Sequence, residues 1–299
     1  MTPVTATIRL SPVQILSDPP KNAPAPKPGE FSADAIEAIA RAFVRARETA
    51  QALPGFPGEL PHDMRTAYAV QEAAIALWPD QIAGWKVGLV PPAAQSAMGA
   101  ARLAGPIFQK NVFEIVKDEP VKLSAIAGGF AAIEVELVVA VAHDAPAEQT
   151  HWTLRQAATF ADEWRVGVEF AASPLANINE LGATAIASDF GNNSGLILGP
   201  RLDSRLIDTP SRLICETKID GQRVGFASAA DLPGGALEAL RFLLGHLAER
   251  GRPLRKGQWV STGAITGVHQ IFPGQRGSIN FFGHANINVL IEAAVPQII

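Results

Sequence analysis

From Gly84 onward the chain breaks into nine short β-rich runs, separated by glycine and proline and interrupted by one long helical pattern. The runs fall at 85–90, 133–141, 165–170, 195–198, 213–219, 223–227, 259–262, 278–282 and 287–291. Strands at such uneven spacing, with few helices between them, argue against a regular βαβ sheet. Asp220-Gly221 sits between two of the runs and marks a tight hairpin, because glycine permits the positive backbone angle such a turn needs. The long helix is expected over 235–249, with Gly251 placed to end it.

Ahead of this body lie two further helical patterns. Ser32 can cap a helix in which Ile36, Ile39, Phe43 and Val44 recur at helical spacing, and Pro54-Gly55 is expected to stop it. A second helix is expected from about Asp63 through Tyr68, Val70 and Ile75 to Trp78. The fold class that follows is α+β: a small helical part over 31–80 on a β-rich body over 81–299. Residues 1–30 stand apart, with seven of the 23 prolines and no aromatic residue. Proline at that density blocks helix and central strand, so this segment reads as a flexible arm, whose Ile8-Arg9-Leu10 could dock on a neighbouring subunit.

Composition narrows the class. A chain of 299 residues can hold about two domains or one large one. It carries 25 basic and 29 acidic residues for a net charge of -4, with no basic surplus for a nucleic-acid backbone. No apolar run reaches the roughly 18 residues of a membrane helix, and the N-terminus lacks the pattern of a secretory signal. The single cysteine, Cys215, cannot form an intrachain disulfide, which fits a reducing compartment. A soluble, cytoplasmic protein with neither nucleic-acid nor membrane partners is expected.

Three segments can carry chemistry. In Ile133-Glu134-Val135-Glu136-Leu137 the alternation of a strand puts Glu134 and Glu136 on one face. Two carboxylates at that spacing repel unless a cation lies between them. An oxygen-only pair suits Mg²⁺, Mn²⁺ or Ca²⁺ rather than zinc, while a solvated polar strand face explains the same spacing. Glu169 closes the apolar run Val166-Gly167-Val168-Glu169, where a lone carboxylate needs either solvent or a partner. As a third carboxylate it would complete one face of an octahedron; taken alone it reads as a strand-end surface residue. Lys86, in Gly84-Trp85-Lys86-Val87-Gly88-Leu89, is a candidate for a partly buried amine near a ligand, or for a lysine snorkelling from a strand edge. There is no Gly-x-Ser-x-Gly elbow, His-Glu-x-x-His pair, P-loop or Gly-x-Gly-x-x-Gly following a strand.

Taken in order, these segments resemble the fumarylacetoacetate hydrolase superfamily, and within it the branch of 2-oxopent-4-enoate hydratases and 4-oxalocrotonate decarboxylases of aromatic-compound degradation. The resemblance rests on Gly84–Leu89, Glu134 with Glu136, and Glu169. It continues through Pro233-Gly234-Gly235-Ala236-Leu237, Gly251-Arg252-Pro253-Leu254, Lys256-Gly257, Ser261-Thr262-Gly263 and Pro273-Gly274. It spans about residues 35–295.

The resemblance implies a mixed β-sandwich roll and one Mg²⁺ or Mn²⁺ held by Glu134, Glu136 and Glu169. It implies a small 2-oxo acid as substrate, contacted at Ser194 and Thr262, and a homo-oligomer. Lys86 is the candidate for proton transfer or for holding the substrate carboxylate, since an amine near a cation and in a pocket can have a lowered pKa. The activity implied is a hydratase adding water to a 2-hydroxypenta-2,4-dienoate-type acid. The alternatives are a decarboxylase of a 4-oxalocrotonate-type diacid, a C–C bond hydrolase of the same superfamily, or a catalytically idle metal-binding relative. Three stretches depart from the branch, and the first, Gly105-Pro106-Ile107-Phe108-Gln109-Lys110, lacks an acidic residue found in some relatives. Ala172-Ser173-Pro174 stands where the branch has Asp-Ser-Arg, and Ser188-Asp189-Phe190-Gly191 where it has Ala-Asp-Asn.

Overall fold

A computed structural model of the chain describes residues 31–116 and 119–296; the proline-rich arm lies outside the described residues. The described residues form seven α-helices and thirteen strands. The helices are α1 (Ala33–Glu48), α2 (Met64–Leu77), α3 (Pro92–Met98), α4 (Leu154–Ala158), α5 (Ile178–Leu181), α6 (Ala183–Ser188) and α7 (Gly235–Glu249). The strands are β1 (Ile82–Leu89), β2 (Arg102–Phe108), β3 (Val112–Glu114), β4 (Val121–Ala125), β5 (Phe130–Val141), β6 (Ala161–Ser173), β7 (Asn193–Leu202), β8 (Ile214–Ile219), β9 (Gln222–Ser228), β10 (Trp259–Ser261), β11 (His269–Gln270), β12 (Arg276–Phe281) and β13 (Ala285–Ala293).

The local signals act where expected. Ser32 caps α1 by accepting from the Ala35 amide, and Asp63 caps α2 through the Thr66 amide. Asp220 and Gly221, both at positive φ, turn β8 into β9. The first helix ends earlier than its pattern implies, at Glu48, because Ala50 takes a left-handed conformation well before Pro54-Gly55. Strands β2 and β4 and helix α3 were not expected, since their short runs contain Pro106, Lys122 and Pro92, each of which dilutes the apolar pattern.

The larger sheet runs β2-β1-β10-β5-β6-β7-β3 with β11 on β5, and the smaller runs β4-β13-β12-β8-β9. Most neighbours are antiparallel; β1 with β10, β3 with β7 and β4 with β13 are parallel. Strand β2 meets the turn that leads into β7, curling the larger sheet into a roll. At the seam a Cβ on Gly105 would lie 2.1 Å from the Phe190 carbonyl oxygen, so only glycine allows the closure.

The outer face of the roll is covered by α1, α2, α7 and the smaller sheet. One apolar cluster runs from Ile39 and Phe43 of α1 through Val135, Val168 and Phe170 to Leu243 and Ile287. The inner face is divided. Ile107, Val138, Leu196 and Leu198, with Val112 and Trp259, form a separate apolar plug. Beside the plug the same face carries Lys86, Glu134, Glu136, Glu169 and Ser261, all buried.

Candidate metal centre

The three glutamates meet because β5 and β6 pair with Glu134 directly opposite Glu169 and Glu136 opposite Gly167. One carboxylate oxygen from each lies within 4.8 Å of the others, and none of the three residues is more than 8% exposed. On the far side of β5, strand β10 sets Ser261 beside Val138 and also beside Lys86 of β1. Lys86 therefore reaches across the roll, and its Nζ lies 3.2 Å from Glu169 Oε1.

Each carboxylate has a distinct set of partners. Glu169 Oε1 accepts from Asn193 Nδ2 at 3.1 Å in addition to its contact with Lys86. Glu136 Oε2 accepts from the Ser261 hydroxyl at 2.5 Å and the Gly263 amide at 2.8 Å. The other oxygens, Glu136 Oε1 and Glu169 Oε2, are buried without a hydrogen-bond partner.

Such orphaned oxygens are costly in a closed interior. Three ionised carboxylates against one ammonium leave two negative charges, the complement of one divalent cation. The donors are all oxygen, as Mg²⁺, Mn²⁺ or Ca²⁺ requires. The residues present fit such an ion, to which Glu134, Glu136 and Glu169 could each offer one oxygen.

Protonation follows the same crowding. Burial and the charge of Glu169 push the Glu134 carboxyl up to about 7, against the pull of Lys86. Burial, Glu169 and Glu134 push Glu136 well above the ordinary range despite the bonds from Ser261 and Gly263. Lys86 lies among these carboxylates and feels both effects. Burial does pull the amine down, but Glu169, Glu134 and Glu136 together outweigh it and hold Lys86 charged above its ordinary value.

Two other expected residues sit differently. Thr262 is fully buried and its hydroxyl donates to the Leu137 carbonyl at 2.8 Å, so it pins the end of β10 to β5. Its neighbours Ser261 and Gly263 are the ones that hold Glu136. Ser194 is the extra residue where the β6–β7 register slips, between the pairs Phe170–Gly195 and Ala171–Asn193. It lines a cavity of about 360 Å³ with Phe170, Phe113 and Lys110, away from the carboxylates. Asn193, not Ser194, reaches Glu169. The alternation that placed the glutamates could not reveal Asn193 or Ser261, since their faces depend on register and on a bulge.

The departing stretch after Glu169 has its own explanation. An aspartate and an arginine meet there from two other segments. Arg47 of α1 lies 2.8 Å from Asp189 Oδ1 and donates to the Ala172 carbonyl, while the Ser173 hydroxyl donates to Asp189 Oδ2 at 2.6 Å. This buried network anchors Phe190, Gly191 and Asn192, three successive residues at positive φ, which deliver Asn193 to the start of β7.

No family model matches the chain. Among solved structures, 4-oxalocrotonate decarboxylase from Pseudomonas putida G7 complexed with magnesium and adipate superposes with a TM-score of 0.71 at 19% identity, over 88% of this chain and 99% of that one. The same enzyme complexed with calcium and acetate gives 0.70 at 18%, with the same coverage. Fumarylpyruvate hydrolase from Pseudomonas aeruginosa in complex with Mn²⁺ and pyruvate gives 0.52 at 17%, over 73% of this chain and 91% of that one. The chain has the fumarylacetoacetate hydrolase-like fold that these enzymes share.

Proposed function

We propose that this chain is a divalent-metal-dependent hydratase, adding water to a small unsaturated 2-oxo acid of the 2-hydroxypenta-2,4-dienoate type. The observation that carries the reading is the closed three-carboxylate cluster with a charged lysine on its rim. When bound, Mg²⁺ or Mn²⁺ supplies a Lewis acid for the carboxylate and ketone oxygens of a 2-oxo acid, stabilising negative charge that develops on the ketone oxygen.

The chain's own residues supply the rest. Glu134, Glu136 and Glu169 hold the ion's place, and the apolar plug beside them excludes water from one side of the cluster. Lys86, protonated and nearly buried, can hold the substrate carboxylate or give a proton to the carbon chain.

A decarboxylase of a 4-oxalocrotonate-type diacid is the second reading, favoured by the near-complete coverage of 4-oxalocrotonate decarboxylase. A histidine-assisted C–C hydrolase has less support. Among the described residues no histidine hydrogen-bonds to Glu134, Glu136 or Glu169.

The test is an assay of purified protein with Mg²⁺ on 2-hydroxypenta-2,4-dienoate and on 2-oxohex-3-enedioate, following ultraviolet loss and carbon dioxide together. Loss of the dienoate without carbon dioxide supports the hydratase. Carbon dioxide released from the diacid replaces it with the decarboxylase. Turnover of neither substrate overturns both readings and favours an idle relative.

A further inference from the structure

The hydrogen bonds around Glu136 and Glu169 share one pattern. In each carboxylate one oxygen is occupied by two protein donors and the other has none. Glu169 Oε1 takes Asn193 Nδ2 and Lys86 Nζ, and Glu136 Oε2 takes the Ser261 hydroxyl and the Gly263 amide. The oxygens left over, Glu169 Oε2 and Glu136 Oε1, are both buried. A carboxylate gripped at one oxygen can offer only the other to a cation without breaking those bonds.

We infer that Asn193 and Ser261 are positioning residues that lock Glu169 and Glu136 as one-oxygen ligands and so make the site select Mg²⁺ or Mn²⁺ over Ca²⁺. Calcium takes six to eight oxygens and gains them by turning carboxylates bidentate, whereas Mg²⁺ demands a near-ideal octahedron of single oxygens and waters. Here the bidentate mode is blocked at two of three ligands. The block at Glu169 is held from afar, because Asn193 follows the left-handed turn 190–192 anchored by Arg47 and Asp189. Ser261, fully buried and paired with Lys86 across the sheet, has no freedom to follow a rotating Glu136.

The inference rests on the metal reading above, and its experiment separates the two. Competition between Mn²⁺ and Ca²⁺ is measured by Mn²⁺ electron paramagnetic resonance on wild-type protein, Asn193→Leu and Ser261→Ala, with circular dichroism to verify folding. Losing such outer contacts lowers metal affinity by about 10- to 100-fold. That loss is expected for Mn²⁺ in both variants, with little or none for Ca²⁺, so that the Mn²⁺/Ca²⁺ preference falls at least about tenfold. If both ions weaken by one factor, the residues are merely structural and the inference is overturned. Unchanged binding of both ions overturns it equally. If the wild type binds neither ion, the metal reading itself fails. Should Asn193→Leu not fold, the smaller change Ser261→Ala decides the matter alone, because Glu136 is locked independently of Glu169.

Discussion

Glu134 and Glu169 stand directly opposite one another across β5 and β6, two buried carboxylates in a position where like charges destabilise a sheet. Lys86, whose amine lies 3.2 Å from Glu169, offsets one of the three charges in the cluster. The three carboxylates therefore form a buried cluster that a cation would complete.

Metal should accordingly stabilise the fold. A cation at 100 times its dissociation constant adds about 2.7 kcal/mol, which corresponds to a rise in Tm of roughly 4 °C in a chain of this size. Differential scanning calorimetry with Mn²⁺ and with chelator checks this. Glu136→Gln should abolish the shift, yet keep the Tm of the wild type under chelator, because burial and the neighbouring carboxylates already drive that carboxyl towards its uncharged form. A full metal-induced shift in Glu136→Gln would show that the ligand set is wrong.

Lys86→Met separates the electrostatic from the chemical role of the amine. The chelated protein should lose stability, since three carboxylates then face one another without a countercharge. Turnover of the responsive 2-oxo acid should fall about 10²- to 10⁴-fold, the usual worth of a proton-transfer group. A turnover number within twofold of wild type would confine Lys86 to balancing charge.

Arg47 and Asp189 form an ion pair with side chains only 8% and 0% exposed. Arg47→Met should cost about 3–5 kcal/mol, since the buried Asp189 loses its partner. Urea unfolding measures the loss, and adding Asp189→Asn should recover part of it. Because the pair anchors the turn 190–192, the single variant should also weaken Mn²⁺ binding although Arg47 touches no ligand. Equal stability of Arg47→Met and wild type would remove the pair from the account.

His246 on α7 gives a pH signature away from the carboxylate cluster. Burial, and the nearby Arg250, lower its pKa to about 3, and its Nε2 is buried without a partner. Because the folded value lies below the unfolded one of about 6.5, the stabilisation is complete above pH 6.5 and is lost as pH falls towards 3. Between pH 7 and 5 the loss attributable to His246 is about 2 kcal/mol. Urea unfolding of wild type and His246→Phe at both pH values isolates it, since the carboxylate cluster contributes equally to each. Parallel losses in the two proteins would exclude His246 as the source.

The site was legible in the sequence wherever a short-range rule governed it, and illegible where two distant segments had to meet. The pleat of one strand, with a period of two residues, puts Glu134 and Glu136 on one face whatever else the chain does. Capping at Ser32 and Asp63 and the turn at Asp220-Gly221 are likewise local and stand as read. Register is not local. A one-residue slip in the β6–β7 pairing turns Ser194 towards a separate cavity and brings Asn193 to Glu169, because each step along a strand reverses the face. Ser261 meets Glu136 across 125 residues of chain only because β10 lies between β1 and β5.

The protonation of Lys86 was decided at the same level. From sequence, an amine in a pocket and near a cation can have a lowered pKa, and how many carboxylates face it is not legible. Tertiary structure sets three carboxylates around it, and at such distances their attraction exceeds the cost of burial. The amino-acid sequence by itself determined which residue types share a face and where the chain turns. Only the closed roll decided which charges face one another, because electrostatic energy depends on distance across the fold and not on separation along the chain.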